Sequence, residues 1–367
     1  MKLCSICGLD NLIDEICQNC QSPITSEIKE HNEKLIEAKV KTDYKGMKVL
    51  IFNPCACGDN AQSSLGPELM QIKYPGCTVD FWTSTYESIP ILQSNPFINK
   101  AILSPKWEDF RLRQSEDEVR EGIPARLGET AKEYDVSYGL YWWDALPQIK
   151  SFLEDLELPT EYQHVRIYTT SKEVKKAHFV WNNGLGMSGG YKIAVQIENA
   201  KWEKGTRYAE LKEGLKKFGT VLELGKREGY SYLDDAEIIR QADLMVCTTG
   251  SIEHVSAAVG TQTVTISPVY NPEANCVAYY QNKYMPTNKQ HVLVRPKDWC
   301  GNYACITENP DELIYKTPPY GFNPDRFPPH MVRDCNYGGF KKSCIHEIKV
   351  QDILEKVEQA LSLRVKQ

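Results

Sequence analysis

Four cysteines near the N-terminus have the spacing of metal ligands: Cys4, Cys7, Cys17 and Cys20, in CSICGLDNLIDEICQNC. Two CxxC turns separated by nine residues present four thiolates in pairs. A tetrahedral zinc ion takes that arrangement, about 2.3 Å from each sulfur. So short a stretch has no core of its own, so bound metal would supply its folding energy. A redox CxxC would follow a strand of a βαβ unit, and none precedes Cys4. Structural zinc is therefore expected in a ribbon over residues 1–22. Cys300, Cys305, Cys335 and Cys344 are spaced more loosely, and a second metal site or plain buried thiols both fit them. Cys55, Cys57, Cys77, Cys247 and Cys276 read as small buried apolar residues.

A second constellation lies in LMVCTTGSIEHVSAAVGTQTV. An apolar strand ends at Cys247, Thr248, Thr249 and Gly250 form a turn, and a helix begins near Ser251. Free N–H groups and the helix dipole favour an anion at such a place. Three hydroxyls add donors, so a nucleoside diphosphate fits the chemistry. The same Thr and Ser residues also suit a plain helix cap. A third constellation follows the apolar run KVLIFN (48–53), where Pro54, Cys55, Ala56, Cys57, Gly58 and Asp59 read as a turn. Ligands collect beyond the carboxyl ends of parallel strands. Asp59 there is a general base for an acceptor hydroxyl, or a helix N-cap. Trp143 ends the strand YDVSYGLYWW and Asp144 follows it at the same edge, which makes them acceptor-side candidates.

These residues need elements to hold them. KVLIFN, CTVDFWTS, a strand within ILQSNPFINKAILS, and YDVSYGLYWW alternate with helical patterns such as SSLGPELMQIKYPG, which ends near Pro75–Gly76. Such alternation predicts a parallel sheet covered by helices. The glycine-rich NNGLGMSGG (182–190) marks a hinge, and YKIAVQI, GTRYAELKEGLKKFG, GTVLELG and DAEIIRQADLMVC begin a second set. The expected organisation is a zinc ribbon (1–22), a linker helix (23–46), an acceptor-side Rossmann-like domain (47–185), a Rossmann-like nucleotide domain (186–345) and a C-terminal helix (346–367). The two α/β domains are expected to face a central cleft. The proline-rich YKTPPYGFNPDRFPPH reads as a surface loop or lid.

With 367 residues the chain is long for one core and suits two. Its net charge of −6 gives no electrostatic footprint for nucleic acid or anionic membrane. It has no run of about 18 apolar residues to span a bilayer. The N-terminal MKLCSICGLD lacks the apolar stretch of a signal peptide. A cytoplasmic location is expected, with its 13 cysteines reduced rather than paired in disulfides.

The segment GDNAQSSLGPELMQIKYPGCTVDFWTSTYESIPILQSNPFINKAI resembles the start of the heptosyltransferases, glycosyltransferase family nine. That family opens with a strand and a Gly-Asp turn, then a helix ending in "YPG", a strand, and an "NP-x-(I/V)" segment. YDVSYGLYWWDALPQI is similar to its "YD-x-x-I-D-L" strand, and CIHEIKVQDILEKVEQAL to its last helix. The resemblance covers about residues 47–362. In the family's "(N/T)-D-(S/T)-G-x-x-H" segment this chain has Thr248 at the Asp position, and one extra residue separates Gly250 from His254. His254 either contacts the donor or serves as a cap or packing residue. Lys201, followed by Trp202, matches the family's basic residue before a Trp, with Lys204 as the alternate; a solvated lysine is the plainer reading. The resemblance implies the two-domain GT-B fold and an inverting displacement with no catalytic metal, using a nucleoside-diphosphate sugar, usually ADP-heptose. Asp59 would deprotonate the acceptor, while Lys201, Thr248, Thr249 and the helix from Ser251 would steady the leaving diphosphate. The acceptor is open: a glycan, a protein side chain or a hydroxylated base in DNA. A non-catalytic sugar-nucleotide binder remains the other reading, and the ribbon could bind a macromolecule.

Overall fold

The computed structural model describes residues 12–13, 16–17, 44–53, 57–83, 85–103, 133–139, 165–183, 190–197, 206–225, 229–248, 250–266, 292–294 and 348–365. Two compact units divide between Thr170 and Ser171.

Near the N-terminus, β1 (Leu12–Ile13) and β2 (Ile16–Cys17) form an antiparallel pair with Leu12 opposite Cys17. Tyr44–Gly46 are a turn rather than the end of the expected linker helix, with the Met47 N–H bonded back to the Tyr44 carbonyl at 3.0 Å.

In the first unit, β3 (Lys48–Asn53), β4 (Thr78–Thr83), β5 (Lys100–Leu103) and β6 (Val136–Gly139) form a parallel sheet in the order β5-β4-β3-β6. β3 is buried from Val49 to Asn53 because sheet neighbours flank it and helices cover it. Behind it run α1 (Cys57–Ser63), α2 (Gly66–Lys73) and α3 (Ile89–Ser94). The expected single helix is broken at Ser64–Leu65, with Pro67 starting the second piece, a position where proline loses no hydrogen bond. Leu50, Ile51 and Phe81 of the strands and Leu65, Leu69, Met70, Ile91 and Leu92 after them are all buried. A buried ion pair ties α2 to the segment before the unit boundary: Arg166 Nη1 meets Glu68 Oε1 at 2.7 Å. The Tyr168 hydroxyl donates to Glu68 Oε2 at 3.3 Å, and burial with the Glu68 charge holds it protonated.

In the second unit, β7 (Tyr191–Gln196), β8 (Gly219–Glu223), β9 (Leu244–Thr248), β10 (Thr263–Ile266) and β11 (Val292–Val294) form a parallel sheet in the order β11-β10-β9-β7-β8. The helices are α4 (Ser171–Asn183), α5 (Thr206–Leu215), α6 (Tyr232–Arg240), α7 (Ser251–Ala258) and α8 (Val350–Val365). Leu211 and Leu215 of α5, and Ile353, Val357, Ala360 and Leu361 of α8, pack on Ile193, Val195, Leu244, Val246, Val264 and Ile266. A Cβ at Gly214 would lie 2.6 Å from Leu354 Cδ1, so glycine there lets α5 approach α8.

α4 belongs to the second unit, beside α6. Trp181 Nε1 donates to the Ile238 carbonyl at 3.0 Å, and Lys176 pairs with Asp234 at 3.0 Å. Asp234 also completes a capping box with Ser231 that starts α6.

Each sheet fixes its register the same way. Asp135, just before β6, accepts the Lys48 N–H at 2.7 Å and returns its own N–H to the Lys48 carbonyl at 2.9 Å. Asp243, just before β9, does the same with Lys192, at 2.7 Å in both directions.

Candidate functional site

Both sheets contain a point where the chain order reverses, and ligands in open α/β sheets bind at the carboxyl ends of the strands flanking it. In the first unit the flanking strands are β3 and β6; in the second they are β7 and β9. β7 and β9 end in register, Gln196 opposite Cys247, and Phe52 lies opposite Gly139 at the ends of β3 and β6.

Asp59 follows β3. It lies in the first turn of α1, half-buried. The expected Gly-Asp turn is therefore already helical, and Asp59 stands inside the helix rather than at its N-cap. A carboxylate in a first turn is favoured by the N-terminal dipole. The Asp59 carbonyl accepts from Ser63 Oγ at 2.8 Å and from Asn53 Nδ2 at 3.3 Å. Trp143 and Asp144 follow β6 in sequence and lie outside the described residues.

In the second unit, Thr248 ends β9 and is buried, 4% exposed. Thr249 lies outside the described residues. Gly250 is the N-cap of α7, with φ 157° and ψ −162°. This region of backbone space is open essentially to glycine alone. A Cβ at Gly250 would meet nothing within 4 Å, so the constraint is backbone conformation, not crowding. Ser251 begins α7 and is half-buried. The Gly250 carbonyl accepts from the N–H groups of Glu253 and His254 at 3.1 and 3.5 Å, which leaves the earlier N–H groups of α7 without carbonyl partners of the helix itself. Glu253, not among the candidates above, is buried in the first turn of α7, 1% exposed. Its signal was an acid three residues after the capping glycine, the place where a carboxylate turns back on the cap. Lys201 and Lys204 follow β7 in sequence and lie outside the described residues.

Burial lowers the His254 imidazole to about 4, so it is neutral at pH 7. Its folded value lies below the unfolded value of about 6.5, so protonation favours the unfolded chain. The stability tied to neutral His254 is complete above about pH 6.5 and is lost as pH falls toward 4. We expect on the order of 1–3 kcal/mol to disappear across that window. In His254→Gln the acid limb of stability against pH should flatten, as measured by urea unfolding at several pH values; an unchanged limb would assign it to other groups.

No described residues form a cluster of three or more His, Cys, Asp or Glu able to hold a metal. Cys4, Cys7 and Cys20, the Cys17 side chain, and Cys300, Cys305, Cys335 and Cys344 all lie outside the described residues. The β1–β2 pair lies between the two expected ligand pairs, with Cys17 at its end. Of the other cysteines, Cys77 and Cys247 are buried as expected, whereas Cys57 at the start of α1 is half-exposed. Burial pushes the Cys77 thiol up to about 11. Among the described residues no helix is long and apolar enough to cross a membrane.

No protein-family model matches the chain, and no curated protein matches it in sequence. Solved structures do match in three dimensions. A glycosyl transferase family 9 protein from Veillonella parvula superposes with a TM-score of 0.54 at 13% identity, over 88% of this chain and 99% of its own. The ADP-heptose lps heptosyltransferase II of E. coli gives 0.53 at 14%, over 87% and 99%. The dodecameric iron-containing heptosyltransferase TibC, solved with ADP-D-beta-D-heptose, gives 0.51 at 12%, over 87% and 78%. At these identities the likeness is one of fold: two parallel-sheet units of the kind found in glycosyltransferase family 9.

Proposed function

We propose that the protein is a glycosyltransferase that moves a sugar, heptose-like, from an ADP-linked donor to a hydroxyl acceptor with inversion and without a catalytic metal. One observation carries this reading. In sequence, the candidate residues Asp59, Trp143, Asp144, Lys201, Thr249, Gly250 and Ser251 follow, and Thr248 ends, the four strands that flank the two reversal points. Fold likeness to two heptosyltransferases supports the donor class. Asp59 takes the proton of the acceptor hydroxyl, whose oxygen then attacks the anomeric carbon as the diphosphate leaves. Lys201, Thr249 and the N-terminus of α7 receive the charge that builds on the diphosphate. The acceptor is a glycan, a protein side chain or a hydroxylated base.

The direct test is intact-mass analysis of products after incubation with ADP-, GDP- and UDP-sugars. A sugar-sized mass gain on an acceptor, with release of the nucleoside diphosphate, supports the reading. Nucleotide-sugar binding without turnover would favour a non-catalytic binder, the reading that Thr248 in place of an acid supports. Thr249→Val should weaken ADP-sugar binding by about 1–2 kcal/mol, the worth of a hydrogen bond to a charged group. Unchanged calorimetric affinity would move the diphosphate away from this turn.

The reading also includes a structural zinc on Cys4, Cys7, Cys17 and Cys20, on the strength of their four-thiolate set. Cys4→Ser/Cys17→Ser should remove one zinc per chain by metal analysis. If zinc persists in that variant, the ligands are elsewhere.

A further inference from the structure

Asn53 ends β3, the strand that leads into α1. The run before it, Val49 to Phe52, is apolar and buried, yet Asn53 is polar and wholly buried, 0% exposed. A buried amide persists where its hydrogen bonds are made. Its Nδ2 donates to Ser63 Oγ at 2.6 Å and to the Asp59 carbonyl at 3.3 Å. Ser63 Oγ in turn donates to the same Asp59 carbonyl at 2.8 Å. Two side chains, one from the strand and one a helical turn further on, thus converge on the peptide group of one residue. α1 has only seven residues, too few to hold a helix by local bonding. A serine hydroxyl bonded back one turn bends a helix when nothing opposes it. Here Asn53 grips that hydroxyl and the carbonyl together, so the strand end fixes the peptide that carries the Asp59 side chain.

We propose that Asn53, acting through Ser63, is a positioning residue for Asp59, fixing the carboxylate at the carboxyl end of β3. The proposal rests on the reading of Asp59 as the base. It explains why an amide stands where the sheet would otherwise take a fifth apolar residue. An apolar side chain would bury equally well but would take away the donor that the end of β3 gives to Ser63 Oγ and to the Asp59 carbonyl.

The test uses the full chain and two variants. Asn53→Asp keeps the shape but sets an acceptor against the Asp59 carbonyl; Ser63→Ala leaves the strand untouched and covers the case where the first variant fails to fold. Two readouts are taken: amide hydrogen exchange over residues 57–63, and turnover as ADP released from ADP-heptose, with kcat and KM separated. Exchange should quicken over 57–63 and not in β4 or β9. The rate constant kcat should fall roughly 10–100-fold, as small misplacements of a reacting group do, with KM within about twofold. Asn53→Asp combined with Asp59→Asn should lose little more than Asp59→Asn alone, because both act on one carboxylate. Unchanged exchange over 57–63 in both variants overturns the clamp. Faster exchange with wild-type kcat, or fully additive losses in the double variant, reduces Asn53 to a helix tether and overturns the positioning role. If Asp59→Asn turns over as wild type, or the wild type releases no nucleoside diphosphate from any ADP-, GDP- or UDP-sugar, the base reading falls and takes the positioning role with it. The exchange data still report the clamp separately.

Discussion

Asp59→Asn is expected to abolish transfer while leaving donor affinity and melting temperature close to those of the wild type. An acceptor hydroxyl is too weakly acidic to attack unaided, and a carboxylate in hydrogen-bond reach contributes on the order of 10²–10⁴-fold. Asparagine has the size of aspartate and lacks only the proton acceptor. Because Asp59 lies within the first turn of α1, the Asn variant also loses a favourable contact with the helix dipole, about 0.3–1 kcal/mol. That loss is small against the fold and invisible in ground-state donor binding. A stopped assay for nucleoside diphosphate release, beside calorimetry and a melting curve, separates the two effects. Wild-type turnover would make Asp59 a dipole partner only, and Asp144, beyond β6, becomes the base to test.

Glu68→Gln should cost about 3–5 kcal/mol, the scale for breaking a buried ion pair from one side. The pair is 2.7 Å apart with both side chains 5% exposed or less, so little water can replace the lost carboxylate. The guanidinium of Arg166 cannot shed its charge. Tyr168 loses the ionised partner of its hydroxyl at the same time. Glu68→Leu/Arg166→Met removes both charges and should recover most of the stability, since paired apolar replacements of buried ion pairs are often neutral. Hydrogen exchange of the β3 and β4 amides reads the first unit without assuming that the whole chain unfolds in one step. A Glu68→Gln loss below about 1 kcal/mol would mean that the Arg166 charge finds another partner.

Strands whose residues alone fix their surroundings were legible in the sequence. KVLIFN reads as an apolar run suited to a buried parallel strand, and β3 covers those residues; VQDILEKVEQAL put its apolar stripe on one side, and α8 packs with it. What the sequence did not show depended on distant partners. α4 carries Val174, Ala177, Val180 and Trp181 at helical spacing, but five charged or histidine neighbours obscured the pattern until α6 supplied its other half. β11 has only Val292–Val294 and is a strand because β10 pairs with it. Gly58 looked like a turn, yet Asn53 and Ser63 brace the first turn of α1 around it. Asn53 was unreadable for the same reason: a lone amide after an apolar run acquires meaning only from its partners.

The matched aspartates at the foot of each sheet have a use in engineering. Asp135 and Asp243 latch β3 to β6 and β7 to β9 at their starting ends, where a one-residue slip would turn every strand side chain to the wrong face. The stretches that follow those strands can therefore be exchanged, lengthened or randomised without carrying the alignment of the sheet. Libraries aimed at new acceptors would vary positions after β3 and β6 in sequence while Asp59, Trp143, Asp144 and Lys201 are left unchanged, with Asp135 and Asp243 kept constant as the fixed ends of the scaffold.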